Sequence, residues 1–151
     1  MPNARELVSL LLQHRGEVYQ LGALAPKEDT NYSGPWDCAE FIAWGIYQVT
    51  RQFVGCRHSQ HNAYTGYFAQ DLPRMGTVIT ETEASELIGA IALRRPTSGR
   101  IGHIAISRGG GRTIEAASAN LGVTSLNLSG RGFTHFYTLN SLIYDYVCAF
   151  L

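Results

Sequence analysis

The spacing of apolar residues changes character partway along this chain, and that change limits the fold more than any single motif does. Up to about residue 88 the apolar positions recur at helical intervals. Leu7, Leu10 and Leu11 share a face with His14 in a segment spanning residues 4–15. Phe41, Ile42, Gly45, Ile46 and Val49 form a stripe along residues 38–51. Residues 22–37 are rich in Gly, Pro, Asn, Asp and Ser and read as a loop. Residues 57–74 are mixed and aromatic and read as loop plus a short helix, and residues 83–88 as one more helical turn. The pattern then switches to short alternating runs, most of them separated by glycine-containing turns. Strands are predicted at residues 90–93, 103–107, 113–117, 124–128 and 133–139. Helices first and strands later predict an α+β domain over residues 1–151, with N-terminal helices packed on a small antiparallel sheet of about five strands.

Composition narrows the functional classes. Lys plus Arg equals Asp plus Glu, at 12 each, which argues against a nucleic-acid or anionic-membrane binder. No apolar run approaches a membrane span. Residues 1–16 lack a basic segment followed by an apolar one, so no signal peptide is read there. The three cysteines, Cys38, Cys56 and Cys148, cannot all pair within one chain, so a disulfide framework is not expected. At least one thiol is free for chemistry.

Cys38 has the most suggestive surroundings. In Asp37-Cys38-Ala39-Glu40, Asp37 is a good helix N-cap and Glu40 stands where a capping box needs a carboxylate. Cys38 then opens the helix, where unpaired N–H groups and the positive end of the dipole favour thiolate over thiol. Glu40 would oppose this if its carboxylate lay close. The residue also falls on the apolar stripe, three and four positions before Phe41 and Ile42, so a small buried hydrophobe is the competing reading.

A nucleophilic thiol needs a base, and five histidines are present. His14 belongs to the first helix and His135 to a strand. His58 and His61 follow Cys56 closely, but no second Cys/His pair completes a zinc pattern, so no metal site is read. His103 opens the strand His103-Ile104-Ala105-Ile106-Ser107. With period two, His103, Ala105 and Ser107 share a face while Ile104 and Ile106 turn to the core. If Gly109-Gly110-Gly111 forms a three-residue hairpin loop, Ala105 faces Glu115, which then lies on the His103 side within reach of the imidazole. A two-residue loop would turn Glu115 to the other side. A carboxylate there would fix the tautomer of His103 and stabilise its imidazolium; a solvated strand charge is the alternative.

The order of these segments resembles the NlpC/P60 family of papain-like cysteine peptidases. The resemblance rests on Tyr19 to Gly22, Asp37-Cys38, Gly102-His103-Ile104-Ala105-Ile106 and Gly111-Arg112-Thr113-Ile114-Glu115-Ala116, with Glu115 twelve positions after His103. It covers the chain from about residue 4 to about residue 136. Family members usually continue Asp-Cys with Ser-Gly, where this chain has Ala39-Glu40. They commonly carry His, Asn or Gln as the third residue, where it has Glu115; related amidases of the CHAP type use acidic residues there. Ala90 stands in place of a usual Asp in the strand before His103.

The resemblance implies a Cys38-His103-Glu115 triad that cleaves an amide in peptidoglycan stem peptides, often the bond between γ-D-Glu and a diamino acid, without cofactor or metal. It implies a hydroxyl donor at Tyr19. Asp37, Trp36 and His61 are expected to contact substrate, with Tyr32, His58 and Gln60 as further candidates for lining the cleft. Acyl transfer, deamidation or cleavage of a non-wall amide on the same fold, and a non-catalytic binding domain with Cys38 merely packed, are the competing functions. A wall hydrolase without a visible signal is expected to reach the periplasm or wall through a secretion or phage apparatus or within a larger protein, and is otherwise cytoplasmic. An injected toxin would be paired with an immunity protein.

Overall fold

A computed structural model describes residues 1–57 and 62–145 of the chain. His58, Gln60, His61 and Cys148 therefore lie outside the described residues. Helix α1 (Ala4–Leu12) is capped by Asn3, whose side chain accepts from the Arg5 amide at 2.7 Å. It buries Leu7, Val8 and Leu11 against α2 (Cys38–Thr50), at a contact where Gly45 leaves room for the Leu11 side chain. A short antiparallel ribbon, β1 (Cys56–Arg57) and β2 (Asn62–Ala63), leads into α3 (Thr65–Met75). There follow β3 (Gly76–Ile79), α4 (Glu81–Glu86), β4 (Ile91–Arg94), β5 (His103–Gly109), β6 (Arg112–Ser118), β7 (Gly122–Thr124) and β8 (His135–Leu139).

The main sheet has six antiparallel strands in the order β3-β8-β4-β5-β6-β7. Four of the five strands predicted from alternation are present, as β4, β5, β6 and β8; the one predicted at residues 124–128 meets β7 only at Thr124, because the ladder with β6 pairs residues 122–124 and the chain then leaves the sheet. The additional one, β3, pairs with β8 at the sheet edge, and its central Thr77 and Val78 are exposed. Edge pairing supplies backbone hydrogen bonds without burying alternate side chains, so β3 carries no period-two pattern. Helix α3 is longer than the short helix expected. Phe68 and Leu72, four residues apart, fix its buried face, while Gly66, Gln70 and Pro73 dilute the pattern.

Both faces of the sheet are covered. Leu93, Ile104, Ile106 and Ile114 pack with α1 and α2 into the larger core. Ala92, Ala105, Phe133 and Phe136 pack with Ala84 and Leu87 of the α4 region into a second, smaller one. The alternation expected along β5 holds, but its other side is buried too: Ala105 and Ser107 are both fully buried.

The hairpin between β5 and β6 departs from the three-residue loop. Gly109 pairs with Arg112, so the turn is the two residues Gly110 and Gly111, both at positive φ as a type I′ turn demands. A bulge between Ser107 and Gly109 then shifts the register, restoring the pairs Ser107–Thr113 and Ile106–Ile114. Glu115 thus returns to the His103 side. The expected outcome is reached by a tighter turn plus one extra residue in the strand.

Candidate active site

The first turn of α2 meets the start of β5 at one end of the sheet. Asp37 caps α2 by accepting from the Glu40 amide at 2.8 Å. The capping box does not close. Glu40 is 1% exposed and turns away from its own helix end, taking a 2.6 Å ion pair from Lys27 Nζ, a 2.8 Å hydrogen bond from the Ala25 amide and another from the Ala63 amide. The carboxylate that sequence reasoning set beside the thiol is thus held by the loop before α2 and by β2.

Cys38 is 8% exposed. Burial, reinforced by the Asp37 carboxylate, pushes its thiol up to about 12, against the pull of the Ala39, Ile104 and Cys38 backbone amides that face the sulfur. The helix-start amides act in the expected direction, but burial outweighs them, so the resting group is a thiol. The Ile104 amide belongs to β5 and adjoins His103. Cys56, the other buried free thiol among the described residues, is pushed up to about 11, chiefly by burial.

His103 opens β5 because Gly102 precedes it. A Cβ at position 102 would stand 2.1 Å from Thr65 Oγ1 and 2.9 Å from the Arg94 carbonyl oxygen, so only glycine lets β5 come this close to α3. The imidazole is 8% exposed and stacks on Phe133 at 5.8 Å between centroids. Its Nε2 lies 2.8 Å from Glu115 Oε1. With Nε2–H donating to that carboxylate, the free lone pair of the neutral ring falls on Nδ1.

Glu115 is fully buried and has two further partners beyond His103. Arg131 donates in bidentate fashion, Nη2 to Oε1 at 2.5 Å and Nη1 to Oε2 at 3.0 Å, and Thr113 Oγ1 donates to Oε2. Burial alone would raise this carboxyl. The hydrogen bonds from His103, Arg131 and Thr113 overcome it and hold the group at about 2.

Arg131, Thr113 and Phe133 were not singled out from the sequence. One signal for Arg131 was present: Glu115 is the single acid between residues 87 and 144, a stretch with six arginines, so a buried Glu115 had cations to draw on.

A cleft of about 290 Å³ opens over the sulfur, lined by Leu21, Asp37, Cys38, Ala39, Ala63, Tyr64, Thr65, Ile101 and Gly102. Leu21, Tyr64 and Ile101 are exposed and form apolar lips. Asp37 lines the cleft, and burial raises its carboxyl to about 6. Tyr19 is half-buried beside Cys38 and Asp37; burial and those two neighbours raise its hydroxyl to about 12, so it remains a donor.

Trp36 does not line the cleft. It is fully buried, donates Nε1–H to Glu17 at 2.8 Å and packs among His14, Tyr32, Phe41 and Trp44. Tyr32 supports the same cluster and donates to the Pro35 carbonyl at 2.6 Å. Both are framework for the loop that delivers Asp37. His61, outside the described residues, has no position to compare.

No family profile matches this sequence, and no curated protein matches it. Solved structures do match in fold. The NlpC/p60 domain of peptidoglycan hydrolase SagA superposes with a TM-score of 0.67 at 20% identity, over 91% of this chain and 99% of that one. The P60 domain of antigen MAP1204 from M. avium subspecies paratuberculosis gives 0.59 at 18% identity, over 93% and 96%. Peptidoglycan hydrolase RipB from Mycobacterium tuberculosis gives 0.61 at 18% identity, over 91% of this chain and 64% of that one. The chain has the NlpC/P60 fold.

Proposed function

Taking that fold as the frame, we propose that this chain is a cysteine hydrolase cleaving an amide bond in the peptide stems of bacterial peptidoglycan, with Cys38 as nucleophile, His103 as base and Glu115 as the carboxylate that orients it. The observation that carries this reading is the lock on His103. Glu115 engages Nε2 at 2.8 Å, leaving Nδ1 as the basic nitrogen on a residue adjoining Ile104, whose amide faces the Cys38 sulfur. The fold neighbours named peptidoglycan hydrolases support the choice of substrate class.

The chemistry follows from the resting states. Cys38 begins as a thiol, so attack on the substrate carbonyl is coupled to transfer of its proton to His103 Nδ1. Negative charge then develops on the carbonyl oxygen, and the Cys38 backbone N–H at the start of α2 is suited to receive it, with the Tyr19 hydroxyl as a second donor. The imidazolium formed on His103 is stabilised by the ionised Glu115 and gives its proton to the leaving amine. The C–N bond breaks, and the acyl group remains as a thioester on Cys38. Water, deprotonated by His103, releases it.

The test is digestion of purified peptidoglycan, with soluble products identified by mass spectrometry. Wild type should release peptides with new amino termini of one defined type. Cys38→Ala should release none while melting at the wild-type temperature within a few degrees. Equal release by both proteins would refute the assignment of Cys38, and no release by either would refute the substrate class. The mass of the products identifies the bond, for which γ-D-Glu–diamino acid is the proposed case.

A further inference from the structure

The chain is neutral as a whole, but its charge is divided between its two halves. Residues 1–86 carry ten acids against six cations, whereas residues 87–144 carry Arg94, Arg95, Arg100, Arg108, Arg112 and Arg131 against Glu115 alone. Glu115 is buried and already claimed by Arg131 and His103. The sheet half therefore presents arginines that no acid of its own segment offsets.

Three of them gather next to the catalytic cleft. Leaving the cleft, Tyr64, Ile101 and Gly102 are shared with an adjoining hollow of about 460 Å³ along residues 96–102. That hollow shares Thr97 and Arg100 with another of about 370 Å³, lined by Arg94, Arg95, Thr97, Arg100, Gly132, Thr134 and His135. Through these shared walls the three hollows follow one another from Cys38 to the arginines, a succession that we term the trough.

Arg94 braces the trough. Its guanidinium is half-buried and donates to the carbonyl oxygens of Ile101, at 3.3 and 3.2 Å, and Arg131, at 3.3 Å, so its charge is directed at backbone and left without a counter-anion. Arg95 and Arg100 are exposed, and among the described residues no carboxylate pairs with Arg94, Arg95 or Arg100. Arg100 is presented by a tight turn in which Thr97 N–H donates to the Arg100 carbonyl at 2.9 Å. Three like charges that approach one another without acids are electrostatically unfavourable in the empty protein, and an anion seated among them relieves that cost.

We propose that the far end of this trough is a carboxylate subsite, in which Arg95 and Arg100 bind an acidic group of the substrate peptide while Arg94 holds the walls, so that the protein selects stem peptides with a free carboxylate over those in which it is amidated. This rests on the proposed peptide-hydrolase reading of the adjoining cleft. The planar guanidinium fork matches a carboxylate in two-point hydrogen bonding, and a primary amide at the same place offers one acceptor and presents N–H groups to a cation.

The test uses two synthetic stem peptides that differ only in one carboxylate or its amide. Binding to Cys38→Ala is measured by calorimetry, and cleavage by wild type is measured as kcat/KM. A charge-assisted two-point contact corresponds to a preference of roughly tenfold or more for the acid. That preference should shrink in high salt, fall close to one in Arg95→Gln and Arg100→Gln combined, and return in part in Arg100→Lys. Affinity for the amidated peptide should be unchanged throughout. Equal binding of both peptides, binding of neither, or a preference that survives both glutamine substitutions would overturn the subsite. Its failure is separable from failure of the hydrolase reading: cleavage of both peptides at equal rates removes the subsite alone, and cleavage of neither removes the hydrolase while the binding data still decide the subsite.

Discussion

Two buried carboxylates stand behind the candidate site, Glu40 on α2 and Glu115 on β6, and they differ in what holds them. Glu40 is tied to Lys27, itself fully buried, and to the amides of Ala25 and Ala63. The cluster joins the loop before α2 to β2 at the cleft wall, as a brace. Glu115 is tied to Arg131, Thr113 and the imidazole of His103. The third of these partners is the group proposed to act as the base. The same device, a carboxylate satisfied out of water, positions a wall in one case and, in the proposed mechanism, tunes a base in the other.

Substitution separates the two roles. Glu115→Ala should lower kcat/KM by on the order of 10³-fold, since the base loses both its orientation and the charge that stabilises its protonated form. Its effect on stability should be the smaller of the pair, because Arg131 is a quarter exposed and can turn to water. Glu40→Ala strips the carboxylate from a fully buried ammonium and should cost about 3–5 kcal/mol in denaturant unfolding. If Glu40→Ala kept wild-type stability, or if Glu115→Ala kept wild-type activity, the distinction would collapse.

Acid should expose a second contrast. The Glu115 carboxyl is depressed from 4.5 to about 2, so its contribution to stability is complete above about pH 4.5 and is lost as pH falls through about 2. The Asp37 carboxyl is raised from 3.8 to about 6, so its contribution is complete below about pH 3.8 and is lost as pH rises through about 6. Asp37→Asn, which keeps a good N-cap, should flatten the loss between about pH 4 and pH 6 in thermal melts and leave the acid limb untouched.

The smallest effect bears on the thiol itself. Asp37 is one of the charges that raise Cys38, so Asp37→Asn should speed alkylation of Cys38 by iodoacetamide at pH 8 several-fold while leaving Cys56 unchanged. Wild-type Cys38, held as a thiol, should react slowly at pH 6. Fast alkylation at that pH would mean a preformed thiolate and would move the proton transfer ahead of substrate binding.

The positions that were legible in the sequence are those where local rules suffice. Asp37 before Cys38 marks the start of α2 through capping chemistry, and the alternation of Ile104 and Ile106 marks β5. Glu115 was legible only conditionally. Its side of the sheet depended on the hairpin, and a tight glycine turn was offset by a bulge that no pattern announced. Glu40 was misread because a capping box is a local motif, whereas Lys27 and Ala63 reach it from distant segments. Trp36 was misread because an aromatic in a loop before a helix can face either a cleft or a core, and only the packing of Trp44 and Phe41 decides which. Arg131 sits in a glycine-rich loop whose approach to Glu115 is purely tertiary.

The central claim is that Cys38 attacks a peptide carbonyl with help from His103. Its most direct test is covalent trapping with a stem-peptide analogue that carries a diazomethyl ketone at the scissile carbonyl. The expected result is one equivalent of adduct, mapped to Cys38, formed far more slowly in His103→Ala and in unfolded protein. Adduct on Cys56 with Cys38 unmodified, or a rate at Cys38 indifferent to His103, would contradict it.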